Sequence, residues 1–378
     1  MRAAMSRTLK TTPASDGFHM PGEFEPHAGT WMLWPERPDN WRENAKPAQR
    51  AFVELASAIA RFEPLSMGVS PAHFASAREQ LPPSIRVVEM THDDCWMRDV
   101  GPTCVVNSEG EVRGVDWRFN AWGGASDGLY SSWEQDELVA PKVLEIERHD
   151  RYHAPFINEG GAIHVDGAGT ALVTEECLLN KNRNPNLSQG EIEAKLKTYL
   201  GVSTIVWLGR GVFNDETSGH IDNLACFLRP GEIALTWTDE RSDPQYAISL
   251  DAWERLNEAR DARGRRFKVH KLPMPGPLLM TAKEAKGLLH RPGTKLRQAG
   301  ERLAASYVNF YIANGGIVMP LLDTRTDRAA AMQLRRLSPG RRVVGVPGRD
   351  ILLGGGNIHC VTQQLPAARD KGKLRRPR

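Results

Sequence analysis

A thiol ends the run GGGNIHC (354–360), and its surroundings are those of a reactive group. Three adjacent glycines allow positive φ and a close approach of backbone to a ligand. An Asn, a His and Cys360 follow at once, whereas a core cysteine more often sits inside an apolar run. Comparable polar tips occur earlier: Asp99 in MRDVGPTCVV (97–106), Glu159 in NEGGAIHV (158–165), and His220 with Asp222 in SGHIDNLACF (218–227). A nucleophilic thiol needs a proton-transfer partner and a group that orients that partner. His220 and Glu159 can fill those roles, which leaves Asp99 and Asp222 as surplus. A cysteine protease has no use for such a pair; it needs backbone donors for an oxyanion. Carboxylates around a thiol suit a cation. A guanidinium offers planar N–H donors that carboxylates bind in bidentate fashion, and its carbon is electrophilic only while the group stays protonated.

Each residue also has a plainer reading. Cys360 can be a buried cysteine beside a tight turn. His220 and Asp222 can be metal ligands, although no i,i+4 His pair or second His/Asp cluster accompanies them. Asp99 can pair with Arg98 as a structural ion pair, and Glu159 can tie its turn. Trp96, Trp117 and Trp122 can all be core, the usual place of Trp.

The elements that must position these groups alternate between strand and helix patterns, which points to the α/β class. Helices are expected over 45–62, 188–201, 247–264 and 326–337. In the first, Ala51, Leu55, Ile59 and Phe62 share one face. In the second, Ser188 and Glu191 form a capping-box signature and Gly201 a stop. Strands are expected over 30–34, 103–107, 162–166, 224–228, 232–237 and 317–321. Turns rich in glycine and polar residues precede such strands at 26–34, 97–106, 158–165, 218–227, 314–320 and 354–360, a rough period of 60–70 residues. That spacing predicts a ring of similar modules, each bringing one turn to a shared centre.

Composition narrows the function classes. The 378 residues carry a net charge of only +3, too little to argue for nucleic acid. Much of the excess lies in DKGKLRRPR (370–378), so residues 369–378 are expected to be a basic disordered tail. The basic start lacks a secretory h-region, and residues 1–19 are expected to be a flexible lead-in, a transit peptide being the alternative. Residues 20–368 are then one catalytic domain. Five scattered cysteines without a CxxC pair fit a reducing compartment and no disulfide or zinc framework. No apolar stretch approaches a membrane span.

Taken together, PGEFEPHAGTWMLWPERPDNW (21–41), DCWMRDVGPT (94–103), NEGGAIHVDG (158–167), LLNKNRNP (178–185), NDETSGHIDN (214–223) and GGGNIHCVTQQLP (354–366) resemble the agmatine deiminase family of the guanidine-modifying superfamily. The resemblance runs from about residue 20 to residue 366. It implies a five-fold pseudosymmetric α/β propeller (pentein) with a central site, no cofactor and no metal. It also implies a cytoplasmic homo-oligomer acting on agmatine in polyamine synthesis. By the same resemblance Cys360 is the nucleophile, His220 the general acid/base and Glu159 its partner. Asp99 and Asp222 clamp the guanidinium, Trp96 walls the slot, and Glu216 with Asp215 binds agmatine's far end. Ser218 departs from the Asn or Asp that relatives often carry before Gly-His, which can alter that turn.

Rival readings are a peptidylarginine deiminase, an arginine deiminase or a dimethylarginase, then an amidinotransferase, and in another class a non-catalytic polyamine-binding protein. The acidic pair Asp215–Glu216 fits a free ammonium better than an α-carboxylate. A binding protein would need the carboxylates and tryptophans but not Cys360.

Overall fold

Five separate sheets of three or four strands make up the computed structural model, which describes residues 6–368. All five follow one plan. A short strand pairs antiparallel with a second, which in four of the sheets is the next in sequence, and that second strand pairs parallel with a third reached through a helix. The sets are Thr103–Val106, Val112–Arg118 and Arg151–Ile157; then His164–Val165, Thr170–Thr174 and Thr204–Leu208. Next come Ala225–Arg229, Glu232–Trp237 and Lys268–Pro273, and Tyr311–Ala313, Gly316–Leu321 and Arg342–Pro347. In the fifth, Gln363–Pro366 pairs antiparallel with His27–Leu33, which runs parallel to Leu65–Val69. The chain thus closes its two ends into one sheet.

Parallel neighbours require crossovers, and the amphipathic helices supply them. In Lys46–Ile59, Ala51, Phe52, Leu55 and Ile59 are buried, an apolar stripe three and four residues apart. Burying each large side chain of that stripe stabilises the fold by about 1.5–3 kcal/mol. Phe62 lies past the helix end and is only partly buried against the same core. Helix Gln189–Leu200 has the expected capping box, with Ser188 and Glu191 exchanging hydrogen bonds, and Gly201 closes it at φ +63°. The third helix is shifted from its expected place to Pro244–Glu258. Asp243 caps it by accepting from the Gln245 N–H at 2.8 Å, and Pro244 fills the first turn.

Three expectations change. Residues 6–19 of the lead-in are ordered: Thr8–Leu9 extends the first sheet beside Arg151–Tyr152, and Phe18 is buried against Tyr152. Sheet pairing and an aromatic contact hold a segment that composition alone reads as loose. The NGG turn at 314–316 does precede a strand, Gly316–Leu321, but as the hairpin within one sheet that joins Ala313 to Gly316. The segment 26–34 likewise supplies a second strand, not a leading turn. The tail expected over 369–378 lies outside the described residues. Among the described residues, no helix is long and apolar enough to cross a membrane.

Candidate active site

Ahead of each sheet's first strand runs a short irregular or helical turn, and these turns hold the polar groups. They are Met97–Val100, Gly160–Ala162, Ile221–Leu224, the segment 306–310 and the segment 354–362. Short turns of this kind leave N–H groups and side chains free to face a ligand.

Cys360 lies at the last of these turns, nearly buried. A Cβ on Gly356 would sit 2.5 Å from the Trp96 ring and 3.0 Å from Cys360 Cβ, so only glycine lets the turn close here. Asn309 Nδ2 donates to Cys360 Sγ at 3.2 Å, and Asp222 Oδ2 lies 3.6 Å from the sulfur. Burial first, then the charges of Asp222 and Asp99, push the thiol well above its ordinary pKa.

Asp99 accepts from the Gly161 N–H at 2.8 Å and from Trp122 Nε1 at 2.9 Å. Burial raises its pKa to about 6, with His220 opposing the shift and Asp222 and Glu159 adding to it. A Cβ on Gly161 would meet His220 Nδ1 at 2.4 Å, so the Asp99–His220 corner depends on that glycine. His220 Nδ1 is 3.9 Å from Asp99 Oδ2, and its Nε2 is 3.6 Å from Glu159 Oε2. Burial opposes a charge on this imidazole, but Asp99, Cys177 and Glu159 raise its pKa well above the usual value. Both His220 Nε2 and Glu159 Oε2 are buried without a hydrogen-bond partner. Burial also opposes the charge on Glu159, yet the Arg183 guanidinium, donating to Oε1 at 2.7 Å, keeps its pKa below the ordinary range. Arg183 donates further to the carbonyls of Trp122 and Thr217 and so ties three loops together.

Asp222 faces the thiol on one side and His359 on the other, with His359 Nδ1 at 2.8 Å from Oδ2. Its Oδ1 is buried and unpartnered. The metal reading of His220 with Asp222 loses its geometry here, because Asp222 is engaged by His359. Cys177, Glu159 and His220 offer ligand-type atoms within 4.8 Å of one another, but the carboxylate is also held by Arg183. Arg98 does not pair with Asp99; it reaches Gln364 at 2.7 Å and Glu23 at 3.4 Å.

Trp96 stacks on Trp41 with ring centres 5.3 Å apart and stands edge-on to Trp122 at 6.3 Å. Its indole N–H donates to Asp94 Oδ2 at 2.9 Å. Together Trp96, Trp122, Leu129, Thr217, Asn223 and Gly354–Gly356 line a narrow pocket that reaches Asp99 and Cys360. A wider cleft of about 570 Å³ beside His19, Glu25 and Val106 holds none of these groups.

The structure places two expected residues differently. Asp215 accepts from the Thr217 N–H, the Thr217 hydroxyl, the His220 N–H and Asn223 Nδ2, at 2.8–3.1 Å. Its four contacts organise the His220 turn and leave no lone pair for a ligand. Glu216 accepts from Nε and Nη2 along one edge of the Arg297 guanidinium and lies 3.4 Å from Lys295. Its charge is thus committed within the protein. Ser218 takes a left-handed φ of +66°, a conformation that Asn and Asp tolerate better than Ser. Its hydroxyl accepts from Asn182 Nδ2 at 3.4 Å.

Residues unassigned from sequence complete the site: Asn309, Arg183, His359, Glu23 and the indole of Trp122. Arg183, His359 and Glu23 stand inside the quoted motifs. Asn309, in SYVNFY, has no glycine beside it to mark a turn.

A family model for Porphyromonas-type peptidyl-arginine deiminases matches residues 19–366. The agmatine deiminase of Pseudomonas putida is 57% identical over 363 residues, covering 96% of this chain and 99% of that protein. The agmatine deiminase of Pseudomonas aeruginosa is 56% identical, covering 95% of this chain and 98% of its own. The solved structure of Enterococcus faecalis agmatine deiminase superposes with a TM-score of 0.93 at 48% identity, covering 96% of this chain and 100% of that one.

Proposed function

The chain belongs to the Porphyromonas-type peptidyl-arginine deiminase family, and from that premise we propose that it hydrolyses agmatine to N-carbamoylputrescine and ammonia through a covalent intermediate on Cys360. The observation that carries the mechanism is a buried thiol 3.6 Å from one carboxylate, in a pocket it shares with a second, Asp99. The indoles of Trp96 and Trp122 in the pocket lining suit a cation.

In this reading the guanidinium lies between Asp99 and Asp222, with the free Asp222 Oδ1 as one acceptor. The Cys360 thiolate attacks the guanidinium carbon. His220, protonated at the start, gives its proton to one nitrogen, which leaves as ammonia; an S-linked thiouronium remains. Water then attacks that carbon as His220 takes its proton back. Collapse breaks the C–S bond, frees the thiolate and leaves the ureido product, and the last proton ends on ammonia as ammonium. Glu159, its charge balanced by Arg183, faces the imidazole at 3.6 Å and favours its charged form. The raised thiol pKa is offset in the complex, where a guanidinium between two carboxylates brings positive charge next to the sulfur. Thiolate absorbance titrated with and without a substrate analogue should show a lower pKa in the complex. An equally low pKa in the free protein contradicts this step.

With Asp215 and Glu216 committed elsewhere, agmatine is favoured over arginine by the likeness to the Pseudomonas and Enterococcus enzymes rather than by that acidic pair. We also propose that the five sheets stand around the site as a five-fold propeller, one catalytic domain of a cofactor-free cytoplasmic homo-oligomer. Ammonia release from agmatine, arginine, a peptidyl-arginine and dimethylarginine should be fastest with agmatine. A preference for arginine or peptidyl-arginine overturns the substrate, and ammonia released only with an acceptor amine present points to an amidinotransferase.

A further inference from the structure

Behind the nucleophile, two buried groups that the mechanism above leaves unused, Glu23 and His359, run in a chain to Asp222. Glu23 Oε2 meets His359 Nε2 at 2.7 Å, and His359 Nδ1 meets Asp222 Oδ2 at 2.8 Å. That same oxygen lies 3.6 Å from Cys360 Sγ. All four side chains are almost wholly buried. The His359 backbone N–H donates to Asn309 Oδ1 at 2.9 Å, and the other end of the same amide donates to the thiol. Glu23 is held in turn, accepting from the Ile312 N–H at 2.8 Å.

We infer that Glu23 and His359 are positioning residues for the reaction: His359, anchored by Glu23, pins Asp222 through Oδ2 so that Oδ1 is left to the guanidinium. This rests on the hydrolase reading and extends it to two residues with no assigned role. Two observations carry it. Both imidazole nitrogens of His359 are engaged at short distance, so the ring cannot turn without breaking a buried hydrogen bond. Asp222 Oδ1, by contrast, is buried and unpartnered, which is costly unless a ligand satisfies it. A carboxylate with one oxygen fixed and one free presents a single defined acceptor, and preorganised acceptors of this kind do not have to reorient as charge moves.

The charged groups facing His359 are Glu23, Asp222 and Arg98, and the His164 ring stacks on it at 5.9 Å. Burial and Arg98 act against a proton on His359, while Glu23 and Asp222 favour one, and the balance is an imidazole raised above its ordinary value. Removing the Glu23 charge lets His359 lose its proton at lower pH and takes away the carboxylate that anchors the ring at Nε2.

The test uses the full-length protein carrying His359→Asn, His359→Gln or Glu23→Gln, each checked for a native near-UV circular dichroism spectrum. Asn keeps a donor near the Nδ1 position, Gln near Nε2, and Gln at 23 retains an acceptor for the Ile312 N–H. With agmatine, kcat/KM should fall about 100-fold in His359→Gln, the scale of a misplaced reacting group, and about tenfold less in His359→Asn. Without turnover, the Kd of agmatine measured by calorimetry in a Cys360→Ser background should rise about tenfold when Glu23→Gln is added, because Asp222 is no longer pinned from behind. Equal losses in the two His359 variants, or an unchanged agmatine Kd on adding Glu23→Gln, overturn the inference in favour of a purely structural tie. Binding needs no turnover, so a wild-type protein that releases no ammonia from agmatine overturns the hydrolase reading separately.

Discussion

His220 and His359 are both buried among the carboxylates of the site, yet they are held in opposite ways. His359 has each ring nitrogen engaged, at 2.7 and 2.8 Å. His220 meets its carboxylates only at 3.6 and 3.9 Å, and its Nε2 has no hydrogen-bond partner. A histidine with two short bonds has its proton placed and its ring fixed. A loosely held one can exchange a proton with a substrate at little cost in broken bonds. The difference teaches that proximity of His to carboxylate does not define a general base; slack does. It also separates two kinds of support. Asp215 fixes the His220 turn through backbone N–H groups and leaves the ring free, whereas Glu23 fixes the His359 ring itself.

The hardest test of this contrast compares the two rings directly. His220→Gln should reduce kcat for ammonia release by about 10³–10⁴-fold, the upper range for a lost general acid/base, well beyond the loss expected of His359→Gln. A larger loss at His359 than at His220 would invert the assignment. Next in size is Asp99, the carboxylate on the loose side. Its pKa of about 6, raised by burial, makes it lose its charge as pH falls through that value. The guanidinium clamp requires the charged form, so wild-type kcat/KM should decline on the acid side below about pH 6. Asp99→Asn should lower the plateau by about 100-fold, the scale of one lost charge-stabilising group, and remove that limb. A limb that persists in Asp99→Asn assigns the titration to another group. The smallest effect belongs to Asp215→Asn, which keeps one acceptor oxygen. It should cost about 1–2 kcal/mol in denaturant-measured stability and about tenfold in kcat, with an unchanged pH profile. A shift in substrate preference towards arginine would instead return Asp215 to the ligand.

How much of this was legible in the sequence depended on distance along the chain. Cys360, Asp99, Glu159, His220 and Asp222 each stand in a turn whose glycines or polar tip mark it, and the structure brings them to one place. The fourth turn carries no such mark: Asn309 follows Tyr307 and Val308, and the nearby glycines belong to a hairpin. Asp215 and Glu216 look alike as neighbouring acids. What separates them is the local turn that saturates Asp215 and the guanidinium of Arg297, about eighty residues later, that claims Glu216. Nothing in the local pattern announces a partner so remote, nor the pairing of Glu23 with His359 across nearly the whole chain. The α/β alternation was readable from strand and helix periods. The order in the lead-in was not, because Thr8–Leu9 is held by its pairing with Arg151–Tyr152 rather than by its own composition.

The central claim is that the thiol of Cys360 becomes covalently bonded to the substrate carbon. Acid-quenching the protein during turnover of agmatine and mapping its peptides by mass spectrometry tests this most directly. The account predicts an amidino adduct, agmatine less ammonia, on the peptide containing Cys360, rising and decaying with turnover. Steady ammonia release with no adduct at any quench time, or an adduct on Cys177 beside His220, would contradict it.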